Sequence, residues 1–368
     1  MIFNCFVFAC SKKRIAVNEM ELYYLVFISS QLVPLSFMLG KSAEQQENKL
    51  YPRVEILIAT YQGEKYLPAL LDSLLKQTYT NLHFIIRDDG STDGTVALIE
   101  KFKKSYPHLV TLIQDNKNLG VIQNFAKLMQ HCSANYALFA DQDDYWLPEK
   151  VELSIKSLQK LEKKYGKETP LLVHTDLKVV DCHLNNIHPS FWKFTKLNPR
   201  FITLNRLLVQ NCVTGCTMAF NKALIERSLP LPANILMHDW WMALVASSFG
   251  KIASIPTSTI LYRQHGSNTL GAMKPLTFWP LLKKIMRKIV SKDSSLFSSA
   301  SFSSQKQATV FYEKFDSYFT PTQKKVVESF CKLQEYPFFY QRFIVLRYRF
   351  FTHLKWRNFF RFFFPMRY

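Results

Sequence analysis

The feature that most constrains this chain is an alternation. From Arg53 to Asp144, short apolar runs rich in β-branched residues are separated by stretches with helical spacing. "RVEILIATY" (53–61), "LHFIIRDD" (82–89), "LVTLIQD" (109–115) and "YALFADQDD" (136–144) read as buried strands. "EKYLPALLDSLLKQ", with Leu67, Leu70, Leu71, Leu74 and Leu75 on one face, reads as a helix. So do "DGTVALIEKFKKSY", for which Asp93 is a candidate N-cap, and "GVIQNFAKLMQHC". This succession predicts an α/β fold with a mainly parallel central sheet flanked by helices. Ligands of such sheets bind outside the carboxyl ends of the strands. There the chain sets Thr60 and Tyr61, then Asp88 and Asp89, then Asp141, Asp143 and Asp144.

Carboxylates gathered at one edge repel and raise one another's pKa unless something neutralises them. A divalent cation does so simply, and Mg2+ is commonly held by one or two carboxylates, waters and substrate phosphates. Asp141 and Asp143 project the same way if strand geometry persists. An isolated Asp-x-Asp is more often a solvated loop; its place at a strand end after three βα units favours a site. "RDDGSTDGT" stays open between a tight turn and a carboxylate reading a nucleobase or ribose. No GxGxxG or GxxxxGK[ST] accompanies these strands, which excludes the Rossmann fingerprint and the P-loop.

Beyond residue 150 the pattern loosens. "PLLVHTDLKVVD" (170–181) is strand-like, "VTGCTMAFNKAL" (213–224) runs from a strand into a helix, and "ILMHDWWMALVASSFG" (235–250) is a helix with a polar entry. "KIASIPTSTILYRQHGSN" (251–268) is extended and ends in a polar loop. The Ser-rich stretch 291–305 reads as a linker.

Taken in this order, "ILIATYQGEKYLPALLDSLLKQTYTNLHFIIRDDGSTDGT", "NLGVIQNFAKLM", "FADQDDYWLPEK", "HDWWMALVASSFG" and "LYRQHGSN" resemble a family 2 glycosyltransferase with the GT-A fold. Within that family the "DQDD", "HDWW" and "YRQHGSN" elements look most like bacterial rhamnosyltransferases of surface polysaccharide. The resemblance covers residues 53–271. It implies that Thr60, Tyr61 and Glu64 lie along the nucleotide, and that Asp89 beside Asp88 reads its base or ribose. Asp141 would lie near the ribose, with Asp143 on a Mg2+ or Mn2+ that bridges the donor diphosphate. His265 would meet the metal or diphosphate, and Arg263 would help to neutralise the latter. Asp239 would be the catalytic base, although its position alone favours an N-cap. Trp240 and Trp241 would face the acceptor sugar, with core packing the alternative. The "QxxRW" element of processive synthases is absent, which favours single addition.

Charge completes the outline. The chain carries a net +19, and residues 274–368 hold 18 Lys/Arg against 5 Asp/Glu. Such an excess calls for an anionic partner. The mixture of Phe and Leu with Arg in 277–290 and 340–368 suits helices lying on an anionic membrane better than a nucleic-acid groove. A packed helical tail is the structural alternative. Residues 22–40 carry no charge over 19 positions, near the roughly 20 needed to span a bilayer. The seven cysteines include no CxxC pair, and their odd number opposes a full disulfide framework.

The expected organisation is therefore an N-terminal hydrophobic extension (1–49), a GT-A catalytic domain (50–272) and a basic, aromatic, helical C-terminal region (273–368). The expected protein is a metal-dependent, inverting transferase. It takes a nucleotide-sugar donor, with dTDP-rhamnose the leading candidate, and a saccharide or lipid-linked acceptor. It acts at the cytosolic face of a membrane, peripherally or through one N-terminal segment. The alternatives are a UDP- or GDP-sugar transferase of the same fold, and an inactive membrane- or nucleic-acid-binding protein.

Overall fold

The computed structural model describes residues 51–115, 117–266, 299–354 and 358. The hydrophobic extension with residues 22–40, the basic stretch 277–290, the first part of the Ser-rich segment and most of 355–368 lie outside the described residues.

Three βα units come first: β1 (Val54–Thr60), α1 (Leu67–Leu75), β2 (Leu82–Asp88), α2 (Thr95–Ser105), β3 (Val110–Ile113) and α3 (Gly120–His131). Next are β4 (Tyr136–Asp141), a two-residue β5 (Tyr145–Trp146) and the long α4 (Lys150–Tyr165). β6 (Leu171–Val180), β7 (Asn186–His188), α5 (Phe191–Thr195) and α6 (Leu204–Val209) lead to a 3-10 turn at Gly215–Thr217. β8 (Met218–Asn221), α7 (Lys222–Ser228), α8 (His238–Phe249) and β9 (Lys251–Arg263) complete the sheet region. Three helices follow, α9 (Ser299–Phe315), α10 (Pro321–Cys331) and α11 (Phe338–Tyr348). The described residues from Arg53 onward cluster as one compact unit.

The strands form one mixed sheet in the order β3-β2-β1-β4-β8-β6-β9-β5, with β7 beside β6. The half built from β3, β2, β1 and β4 is parallel. Antiparallel β8 joins it to the parallel pair β6 and β9. β1 shows why the sheet is covered on both faces: Ile56 and Ile58 pack into one core with α1 and α4, and Leu57 packs into the other. Side chains alternate along a strand, so a strand buried on both faces reads as a continuous apolar run.

The C-terminal helices belong to this second core. Ala308, Phe311 and Phe315 of α9, Val327 and Phe330 of α10 and Ile344 and Val345 of α11 share it with α3, α6 and α8. Trp241 meets Phe311 edge to face at 5.3 Å. α10 starts on a capping box between Thr320 and Gln323.

Candidate active site

The sheet register brings the strand-end residues to one level. Thr60 pairs with Asp88, and Ala59 pairs with Asp141. At the end of β2 the two neighbouring aspartates then part. Asp88 is half-buried at the edge of the sheet. It accepts the Thr60 hydroxyl at 2.8 Å, the Ser91 hydroxyl at 2.6 Å and the backbone N–H groups of Gly90 and Ser91 at 3.1 and 2.7 Å. Gly90 makes this turn at φ +82°, in the left-handed region. A cleft lined by Asp88, Val96, Leu112, Ile113 and Gln114 opens beside it.

Asp89 is only 3% exposed. It accepts Arg87 Nη1 and the N–H groups of Leu119 and Gly120, each at 2.8 Å. Its charge sits at the N-terminus of α3, where the helix dipole favours an anion. Arg87, wholly buried, also holds Asp115 at 2.7 Å. The expectation that Asp89 reads the base or ribose is therefore corrected: it is spent inside the protein, and Asp88 is the member of the pair at the cleft. Successive residues at a strand end face opposite ways, so only one of the two can look outward. Thr60 is corrected likewise, since it is 1% exposed and supports Asp88 from behind. Asp93 is not the N-cap residue of α2, a position that Gly94 takes; Asp93 accepts the Thr95 N–H at 3.1 Å from one place earlier.

Sequence reasoning overlooked Gln142, the residue between Asp141 and Asp143. Its amide clamps the backbone of Tyr61, accepting the N–H at 2.8 Å and donating to the C=O at 2.7 Å. A Cβ on Gly63 would lie 2.1 Å from Gln142 Oε1, so the clamp needs glycine there. Tyr61 itself is 48% exposed. Glu64, also exposed, accepts the Gly94 N–H at 3.0 Å and ties the loops after β1 and β2 together.

Asp143 is met by the end of β9. His265 Nε2 lies 2.8 Å from Asp143 Oδ2, and the imidazole stacks on Tyr66 with centroids 4.6 Å apart. Arg263 is 5% exposed, with Nε on the Asp143 carbonyl at 2.9 Å and Nη1 on the Cys182 carbonyl at 2.7 Å. The expectation of a cation open to the diphosphate is corrected: Arg263 is a buried tie between β9 and the carboxylate loop.

Asp239 lies in the first turn of α8, one position past its first residue; the N-cap residue is Met237, and it makes no side-chain cap. The Asp239 carboxylate accepts the Gly215 N–H at 2.9 Å and the Trp240 N–H. Burial pushes its pKa up to about 7 against those two hydrogen bonds. Burial also pushes Asp141 up to about 7, aided by the charges of Asp143 and Asp239. The structure thus gathers Asp141, Asp143, Asp239 and His265, which lie far apart in sequence. Trp241 is fully buried, donates to the Ser228 carbonyl at 3.3 Å and packs on α9, so its expected acceptor contact is corrected to a core role. Trp240 is half-buried, with Nε1 donating to the Leu207 carbonyl at 2.6 Å.

Beside Asp141 and Asp143 the structure sets Asp144, expected from the sequence, with Cys216 and Lys150, which were not. Asp144 is fully buried, its carboxylate facing the Cys216 thiol and the Arg263 backbone. Burial and the charges of Asp143 and Asp141 raise its pKa. Ligand atoms of Asp141, Asp144 and Cys216 lie within 4.8 Å of one another. Lys150 Nζ sits 4.3 Å from the Trp146 ring, and burial lowers its pKa to about 8.

These residues fit a hard divalent cation. Burial, then the neighbouring carboxylate charges, raises the pKa of both Asp141 and Asp144, and a bound cation would offset that repulsion. Cys216 does not suit the role: burial, then the Asp144 charge, raises its pKa and keeps the thiol protonated, and sulfur prefers softer metals. Asp143 and His265, 2.8 Å apart with side chains 17% and 11% exposed, are the more open pair beside this group.

Residues 55–227 match the family model Glycosyl transferase family 2. The chain is 28% identical over 230 residues to the dTDP-rhamnosyl transferase RfbG of Shigella flexneri, covering 58% of this chain and 74% of that one. It is 26% identical over 216 residues to an uncharacterised protein of Mycobacterium bovis, covering 58% and 59%. Among solved structures it resembles residues 1–349 of S. aureus TarS in complex with UDP, at 17% identity and a TM-score of 0.47, covering 79% and 83%.

Proposed function

We propose that this chain, whose residues 55–227 match the family 2 glycosyltransferase model, is a GT-A transferase that moves L-rhamnose from dTDP-rhamnose, with inversion, to a hydroxyl of a saccharide or lipid-linked acceptor in cell-surface polysaccharide synthesis. The observation that carries the transfer reading is the convergence of Asp239 with Asp141, Asp143 and His265 at one sheet edge. The donor rests on the relative named as a dTDP-rhamnosyl transferase.

In this reading Asp88 and Tyr61 border the nucleotide, with Thr60 and Gln142 holding them in place. Asp141, Asp143 and His265 would hold Mg2+ or Mn2+, which when bound supplies positive charge to the leaving nucleoside diphosphate. Asp239 takes the proton of the acceptor hydroxyl as its oxygen attacks the anomeric carbon. The bond from that carbon to the diphosphate oxygen breaks on the opposite side, and the nucleoside diphosphate leaves with the electron pair. A base with a pKa near neutrality suits this step, being ionised in part and still basic enough to accept the proton. Trp240, half-buried beside Asp239, borders the acceptor. Residues 50–272 carry the chemistry, and the basic region 273–368 attaches it to the cytosolic face of a membrane.

Calorimetry of the full chain with dTDP, UDP and GDP, with and without Mn2+, tests this. Metal-dependent binding of dTDP, lost in Asp143→Ala, is the expected result. Preference for UDP or GDP would reassign the donor. Folded protein that binds no nucleotide would overturn the transferase reading.

A further inference from the structure

α11 is apolar on its inner and its outer face. Ile344 and Val345 point into the core, and Phe350 just beyond them is fully buried against Phe330 at 5.0 Å. Phe339, Phe343 and Leu346, spaced i, i+4 and i+7 on the opposite side, are 84%, 56% and 50% exposed. Tyr340, 47% exposed, stacks on Phe343 at 5.9 Å and widens this stripe. A helix that is apolar on both sides is ordinarily buried on both. Here the inner side is fixed to the sheet domain, and the outer one holds large side chains in water.

Charge identifies what covers it. Residues 336–368 contain seven Lys/Arg and no Asp or Glu. Arg347 and Arg349, at the end of the helix, are exposed. Aromatic and leucine side chains beside arginines, with no acid between 336 and 368, match the boundary between anionic headgroups and acyl chains. A groove for nucleic acid would expose polar groups between its aromatics, whereas Arg342, the polar residue between Phe339 and Leu346 on this face, is buried.

We infer that α11 is a membrane-docking helix that inserts Phe339, Phe343 and Leu346 into an anionic lipid surface, with Arg347 and Arg349 at the headgroups. The inference deepens the proposed function and rests on its membrane partner. Because α11 shares a core with α8, docking would hold the Asp239 end of the site in a fixed orientation to the bilayer. A transferase acting on lipid-linked acceptors needs such an orientation.

The test uses the full chain and vesicles of phosphatidylcholine with or without phosphatidylglycerol. Flotation measures binding, and hydrogen exchange reports peptides across 338–348. The expected result is binding that depends on phosphatidylglycerol, slowed exchange in α11, and at least tenfold weaker partitioning of F339E/F343E/L346E. Arg347→Gln with Arg349→Gln should weaken binding in a salt-sensitive way. Equal binding by the triple variant would overturn the inference, since attachment would then run through another part of the chain. So would unchanged exchange in α11, displacement by single-stranded DNA, or burial of the stripe in a dimer by sedimentation. Nucleotide calorimetry on the same samples separates the two readings: lost vesicle binding with intact nucleotide binding leaves the transferase reading standing.

Discussion

His265 Nε2 lies 2.8 Å from Asp143 Oδ2, across 122 positions of sequence. The contact joins the end of β9 to the carboxylate loop after β4, and the stack on Tyr66 adds the loop after β1. Three segments meet where the proposed cation would sit. His265→Ala should lower metal affinity and turnover by about 10- to 100-fold, the range for residues that orient a metal site. Asp143→Ala should cost more and remove metal-dependent nucleotide binding. Titration of Mn2+ into each variant, followed by steady-state kinetics, checks both.

Asp239→Asn should lower kcat by about 10²- to 10⁴-fold, as expected for loss of a general base, with nucleotide affinity kept. The sign of the pH dependence follows from the raised pKa. A carboxyl at about 7 is protonated at lower pH and cannot accept a proton, so the rate should rise with pH through neutrality. A rate profile of wild type that is flat from pH 5.5 to 8.5 would remove Asp239 from the role.

Arg87→Met should destabilise the fold by about 3–5 kcal/mol, because it leaves Asp89 buried without its cation. The double variant with Asp89→Asn should recover part of that loss. Urea unfolding of the single and double variants measures the coupling.

Trp241→Ala should cost about 3–5 kcal/mol by opening a cavity between α8 and α9. If Trp241 served the acceptor instead, the variant would keep its stability and show only a raised acceptor KM. Denaturation and kinetics on one preparation decide between the two.

The α/β class, the succession of βα units and the edge at which the carboxylates collect were all legible in the order of residues alone. These follow from periodicity and flanking residues: short, β-branched apolar runs such as "ILIA", bounded by turn formers, read as strands buried on both faces, and their polar ends mark the sheet edge. The paired motifs were legible for the same reason, as Asp141, Asp143 and Asp239 stand at the ends or starts of predicted elements. Only the tertiary structure decided which member of each cluster faces the cleft. Asp88 and Asp89 are equivalent in a string of letters, but one turns to the cleft and the other caps α3. Arg263 became a backbone tie, Trp241 became core, and Gln142 emerged as a clamp on Tyr61. The antiparallel insertion of β8 and the packing of α9, α10 and α11 onto α8 were likewise hidden. Orientation and partnership depend on what packs against a residue from distant parts of the chain, and no local pattern encodes that.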